Sequence, residues 1–89
     1  MAYVFDIRVT AALEDGNLIT RILDFKEDLH RECFRDDYVS VSDPAAVDSA
    51  LMPVSFSVRS KAGLAKFRKL LQKSLTAHKV EHAVQVTRR

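Results

Sequence analysis

Hydrophobic and polar residues alternate along four stretches of the chain, which is the period expected of strands that bury one face. These stretches are residues 3–10, 38–42, 54–59 and 80–86. In the last stretch the predicted inward side chains are Val80, His82, Val84 and Val86. The pattern therefore predicts four short strands, each with one apolar and one polar face.

Two longer stretches repeat their apolar residues every three or four positions, as amphipathic helices do. The first begins near Leu18, and its apolar stripe consists of Leu18, Ile22, Phe25, Leu29 and Cys33. The second covers roughly residues 61–77 after a capping Ser60, and its stripe consists of Leu64, Phe67, Leu71 and Leu75. Between the two middle strands, Asp43 followed by Pro44 predicts a short extra helix over 44–51.

The predicted element order is β-α-β-β-α-β, with the short extra helix inserted between the middle strands. Because each strand has a single apolar face, both helices are expected on the same side of an antiparallel sheet. This is the ferredoxin-like α+β sandwich. Right-handed crossovers place the first and third strands in its centre. The length of 89 residues predicts one domain, residues 1–89.

Charge is distributed unevenly although the whole chain carries only +2. Residues 1–48 contain 11 acids and 5 cations, whereas residues 49–89 contain 1 acid and 9 cations. The candidate acidic patch on the first helix consists of Asp24, Glu27, Asp28 and Glu32. The candidate basic patch on the second helix consists of Lys61, Lys66, Lys69 and Lys73.

Three arrangements would explain these patches. The neighbouring helices attract each other through exposed pairs, or the acidic patch of one copy meets the basic patch of another in a twofold dimer. Nucleic acid is the third and is disfavoured, since the open sheet face carries Ser55, Ser57 and Arg59 in place of stacking aromatics. Membrane binding is excluded from the prediction because the helical apolar residues are needed in the core. The absence of an apolar run of ~18–20 residues and the single Cys33 favour a cytoplasmic protein.

Residue types with catalytic or metal-binding chemistry are few. His30 and Cys33 are spaced for one face of a helix, but two ligands do not make a metal site. The chain lacks phosphate-binding glycine loops, CxxC motifs and the nucleophile elbow GxSxG. We therefore predict no catalytic residue, metal or cofactor. On the open sheet face, Asp6, Arg8 and Arg59 are candidates for contacts with a small ligand or a second copy.

Two segments, IRVTAALEDGNLITRIL and LLQKSLTAHKVEHAVQV, resemble the first strand to first helix and the second helix to last strand of ACT domains. The resemblance implies the same fold and, as in that family, binding of an amino acid at a dimer interface. The family's loop has two residues between an Asp and a Gly, whereas Asp15 and Gly16 are adjacent here.

The expectation is a small non-enzymatic interaction or ligand-sensing module that forms a homodimer, with a further protein partner allowed. Two alternatives remain open. One is a small enzyme or ligand carrier with a cavity at a dimer interface, and the other is a basic accessory protein that binds nucleic acid.

Overall fold

Four strands form one antiparallel sheet, and two long helices accompany it. The computed structural model describes residues 3–10, 16–33, 39–50 and 52–89. The strands are β1 (Tyr3–Val9), β2 (Val39–Val41), β3 (Val54–Val58) and β4 (Val84–Arg88), and the long helices are α1 (Gly16–Cys33) and α2 (Lys61–His78). The order of the strands in the sheet is β2-β3-β1-β4, so the predicted ferredoxin-like α+β fold is confirmed, with β1 and β3 in the centre. Tyr38 of the predicted second strand, Leu51 of the predicted short helix and Asp15 of the compared loop lie outside the described residues.

The core forms between the sheet and the helices because the strands alternate as the sequence predicts. On β3, Val54, Phe56 and Val58 are buried, while Ser55 and Ser57 are only half-buried. Phe67 of α2 completes the centre of this layer, with its ring centroid 4.9 Å from that of Phe5 and 5.7 Å from that of Phe56. The three rings join α2 to both central strands.

The first helix presents its whole predicted stripe to the core, since all five of the residues named for it are buried. The second helix begins at the predicted cap, where the Gly63 N–H donates to Ser60 Oγ over 3.0 Å. Its residues Phe67, Leu71 and Leu75 are buried and Leu64 is half-buried. Helical periodicity therefore identified the buried faces of both helices.

The last strand starts four residues later than predicted, at Val84 rather than at residue 80. The cause is the end of α2, where Lys79 adopts a left-handed conformation (φ 55°, ψ 45°). The Lys79 N–H donates to Thr76 O and the Val80 N–H donates to Leu75 O, which is a Schellman termination. Val80 is fully buried next to this turn, and His82 is exposed. The prediction that His82 points inward was wrong.

The predicted short helix over 44–51 is a 3₁₀ helix of five residues, Pro44–Asp48. Asp43 caps it as expected, since the Ala45 N–H donates to Asp43 Oδ1 over 3.0 Å. Val47 is buried and Ala46 is fully buried. This 3₁₀ helix packs against α1.

Candidate interaction surfaces

The two long helices lie side by side and run antiparallel. The side chains of Asp28 on α1 and His78 at the end of α2 are hydrogen-bonded, with 3.2 Å between Asp28 Oδ2 and His78 Nε2. Farther along α1, Glu32 lies at the same groove as Lys73, which precedes His78 on α2. The acidic and basic patches therefore adjoin in the folded chain, as expected for two helices on one side of a sheet.

A surface groove of about 320 Å³ runs between these parts of α1 and α2. Its lining consists of Asp28, Glu32, Leu70, Lys73, Ser74 and Ala77. Asp28 also lies 3.6 Å from Arg31 on its own helix. Two carboxylates and one ammonium group therefore line the same groove.

Most of the charge on the helix layer points to solvent. Asp24 and Glu27 are exposed on α1, and Lys61 and Lys69 are exposed on α2. Within the described residues, these four side chains form no salt bridge. Lys66 is also exposed but does interact with another residue. The charge separation is therefore only partly neutralised by contacts between α1 and α2.

On the open sheet face, Asp6 of β1 contacts a residue of β3 and the residue that follows β4. Ser55 of β3 lies directly opposite Asp6, and its hydroxyl donates to Asp6 Oδ1 over 2.5 Å. From the other side, Arg89 Nε donates to Oδ2 over 2.7 Å and Arg89 Nη2 donates to Oδ1 over 2.9 Å. This two-pronged contact is the strong form of an arginine–carboxylate pair.

These contacts hold the carboxylate of Asp6 in its charged form. Hydrogen bonds from Arg89, and then from Ser55, lower the pKa of Asp6 from 3.8 to about 2. The same contact with Asp6 raises the pKa of Arg89. Arg8 and Arg59 are exposed, and neither donates to Asp6. The cation that is hydrogen-bonded to Asp6 is thus Arg89, which was not among the residues predicted for this face, while the charge of Arg8 also favours the ionised Asp6.

Lys26 is a buried lysine that the sequence analysis did not single out. Its side chain is 1 % exposed, and its Nζ donates to three backbone carbonyls. The distances are 3.1 Å to Ala46 O, 2.6 Å to Ser49 O and 2.6 Å to Met52 O. Burial lowers the pKa of the ammonium group from its ordinary 10.5.

The contacts of Lys26 attach the 3₁₀ helix and the chain after it to α1. An ammonium group has three N–H donors and no acceptor, so three carbonyls match it fully. Helical spacing carries the signal that this lysine is buried, because Lys26 follows Ile22 by four residues and precedes Leu29 by three. Because all three donors are used by the backbone, we assign Lys26 a structural role.

His30 and Cys33 lie within one turn of each other on α1, as their spacing predicts. His30 is half-buried and Cys33 is buried on α1, whereas His82 lines a surface groove with Arg21 and Lys79. Among the described residues, no three His, Cys, Asp or Glu side chains are grouped so as to hold a metal ion.

In the part of the chain that the structure describes, neither helix combines the length and apolar character needed to cross a bilayer. No protein-family model matches the chain, and no curated protein matches it significantly. The surfaces described above are therefore the basis for any functional assignment.

Proposed function

We propose that this chain is a small non-enzymatic interaction module that acts as a homodimer. The observation that supports the proposal most is the difference between the two edges of the sheet. β2 has only three residues, and Pro44 follows it closely in the sequence. Short strands and nearby prolines are common ways of closing a sheet edge to partners.

The opposite edge lacks these protections. β4 has five residues, Val84–Arg88, and no proline, glycine or lysine among them. Val84 and Val86 are only half-buried, although their side chains share a face with the core. A strand of this kind is a template for a further strand.

The charged helix layer is then free to recognise another protein. Side-by-side pairing of two sheets leaves both helix layers on one surface and exposed. Asp24 and Glu27 would remain accessible on α1, as would Lys61 and Lys69 on α2. Such charges govern the rate and specificity of encounter more than affinity.

Sedimentation equilibrium of the full chain at low and high salt tests the homodimer. We expect a dimer at both salt concentrations, because backbone hydrogen bonds and apolar contacts are screened little by ions. A chain that stays monomeric at ~100 μM, a concentration at which a contact worth about −5.5 kcal/mol is half-formed, refutes the proposal.

A second candidate function, as a ligand carrier, is favoured by the groove between α1 and α2. The carboxylates of Asp28 and Glu32 and the ammonium group of Lys73 line this groove, and this set of charges suits a small zwitterion. Titration with free amino acids, followed by NMR shifts of the α1 and α2 amides, tests this candidate. The Lys73→Gln variant is the matched control, and equal shifts in both proteins would remove the groove from consideration.

A further inference from the structure

The hydrogen-bond pattern of β4 shows which of its backbone groups are available to a partner. The Thr10 N–H donates to Ala83 O and the Arg89 N–H donates to Val4 O, each over 2.9 Å. In the β1–β4 register, Thr10 lies opposite Ala83 and Val4 opposite Arg89. Both are therefore hydrogen-bonded pairs of the antiparallel ladder.

Because strand residues alternate, the backbone groups of Gln85 and Thr87 also point toward β1. Those of Val84, Val86 and Arg88 point away from β1, toward the free edge. Among the described strands, β4 pairs with β1 alone. Three N–H and three C=O groups are therefore directed out of the sheet at regular spacing.

We propose that two copies pair through β4, antiparallel, about a twofold axis at Val86. The inference rests on the homodimer proposed above and specifies its contact. Val86 faces Val86 of the second copy, and Val84 faces Arg88 of the second copy. All three facing pairs are of the hydrogen-bonded kind, so the dimer gains six backbone hydrogen bonds and an eight-stranded sheet.

The position of the axis follows from where β4 begins. An axis at Gln85 would pair Val84 with Val86 of the second copy and Arg88 with His82. Residues 81–83 form a turn, so His82 cannot extend the ladder. That arrangement makes four hydrogen bonds in place of six, and the axis at Val86 is therefore favoured.

Side chains along this contact suit a second copy of the same strand. Residues 84–87 carry no charge, so no like charges meet in the middle. Arg88 flanks this uncharged stretch, and its guanidinium lies 5.1 Å from the ring centroid of Tyr3 in its own chain. Arg89 is held by Asp6 of its own chain on the open face. The half-buried Val84 and Val86 become covered.

Disulfide formation by Val86→Cys tests the axis. Facing residues of a hydrogen-bonded pair have Cα atoms about 5.5 Å apart, which is within the range of a disulfide. The matched control is Val84→Cys, whose symmetry mate is four residues along the strand, about 13 Å away. Buried Cys33 is kept in both variants and in the wild type as a background.

Under a glutathione redox buffer we expect the Val86→Cys chain to form at least tenfold more covalent dimer than the Val84→Cys chain. Equal yields from a chain that sediments as a dimer overturn the β4 contact but leave the homodimer in place. A wild-type chain that sediments as a monomer overturns both proposals. A chain that binds a strand of another protein at β4 but does not associate with itself also overturns both proposals.

A pair of double variants gives a test that needs no oxidation. Gln85 lies across from Thr87 of the second copy in the proposed register. Gln85→Glu with Thr87→Lys places opposite charges together twice, whereas Gln85→Lys with Thr87→Lys places like charges together twice. We expect the first to dimerise at least tenfold more tightly than the second at low salt. Equal dissociation constants for the two folded variants contradict the register.

Discussion

Replacing Lys26 with methionine removes one charge from the interior and leaves three carbonyl oxygens without their donor. Methionine keeps the length and apolar stem of the lysine side chain, so the packing of α1 is changed little. The carbonyls of Ala46, Ser49 and Met52 lose an ammonium group that lies 2.6–3.1 Å away. We therefore expect the effect to come from lost hydrogen bonds and not from a cavity.

The size of the effect can be worked from these three contacts. Hydrogen bonds that involve a charged group contribute about 1.5–3 kcal/mol each, or roughly 5–9 kcal/mol in total. The cost of burying the ammonium group, which methionine avoids, is several kcal/mol and offsets part of this. The contacts of Ser49 and Met52 are only partly buried, so water can replace some of the lost bonding. The expected loss is about 3 kcal/mol.

Urea unfolding followed by circular dichroism measures this loss, with both proteins at one chain concentration so that self-association affects them alike. A loss of about 3 kcal/mol corresponds to a fall in Tm of roughly 12–24 °C for a domain of this size. Lys69→Met is the matched control, since Lys69 is exposed on α2, and we expect it to change stability by less than about 0.5 kcal/mol. A Lys26→Met chain as stable as the Lys69→Met chain would refute the structural role of Lys26.

Three further predictions concern the sheet, the core and nucleic acid. Asp6→Asn lowers the unfolding free energy at neutral pH. The folded-state pKa of Asp6 is depressed to about 2, so the difference in unfolding free energy between the variant and the wild type shrinks below pH 3.8 and vanishes as pH falls through 2. Urea unfolding at a series of pH values across that range measures this difference. Phe67→Ala costs about 3–5 kcal/mol in thermal unfolding, whereas a mild effect would contradict the packing on Phe5 and Phe56. A labelled oligonucleotide should not bind at ~0.15 M salt by fluorescence anisotropy, and salt-resistant binding would favour the nucleic-acid alternative.

The sequence was sufficient to predict the fold because the two periods of its apolar residues differ clearly. Alternation along VSFSV and helical spacing from Leu18 to Cys33 each specify one buried face. The sheet order then follows from right-handed connections. The start of β4 was missed because a lysine, in place of the usual glycine, adopts the left-handed conformation that ends α2.

The contacts of single side chains were harder to predict because their partners are distant in the chain. Arg89 lies 83 residues from Asp6, and only the register of β4 against β1 brings the two together. The carbonyls bonded to Lys26 follow it by 20 to 26 residues, in a segment whose path depends on packing against α1. Which backbone groups of β4 point to the free edge likewise depends on which of its residues are hydrogen-bonded to β1. A hydrophobic pattern does not contain that information.

Amide hydrogen exchange along β4 tests the proposed dimer most directly. The N–H groups of Gln85, Thr87 and Arg89 point toward β1, so we expect them to be protected at every chain concentration. Those of Val84, Val86 and Arg88 point to the free edge and should exchange fast in dilute solution. They should become protected as the concentration rises through the Kd of the dimer. If these three amides exchange at the same rate at all concentrations while the chain sediments as a dimer, β4 is not the contact.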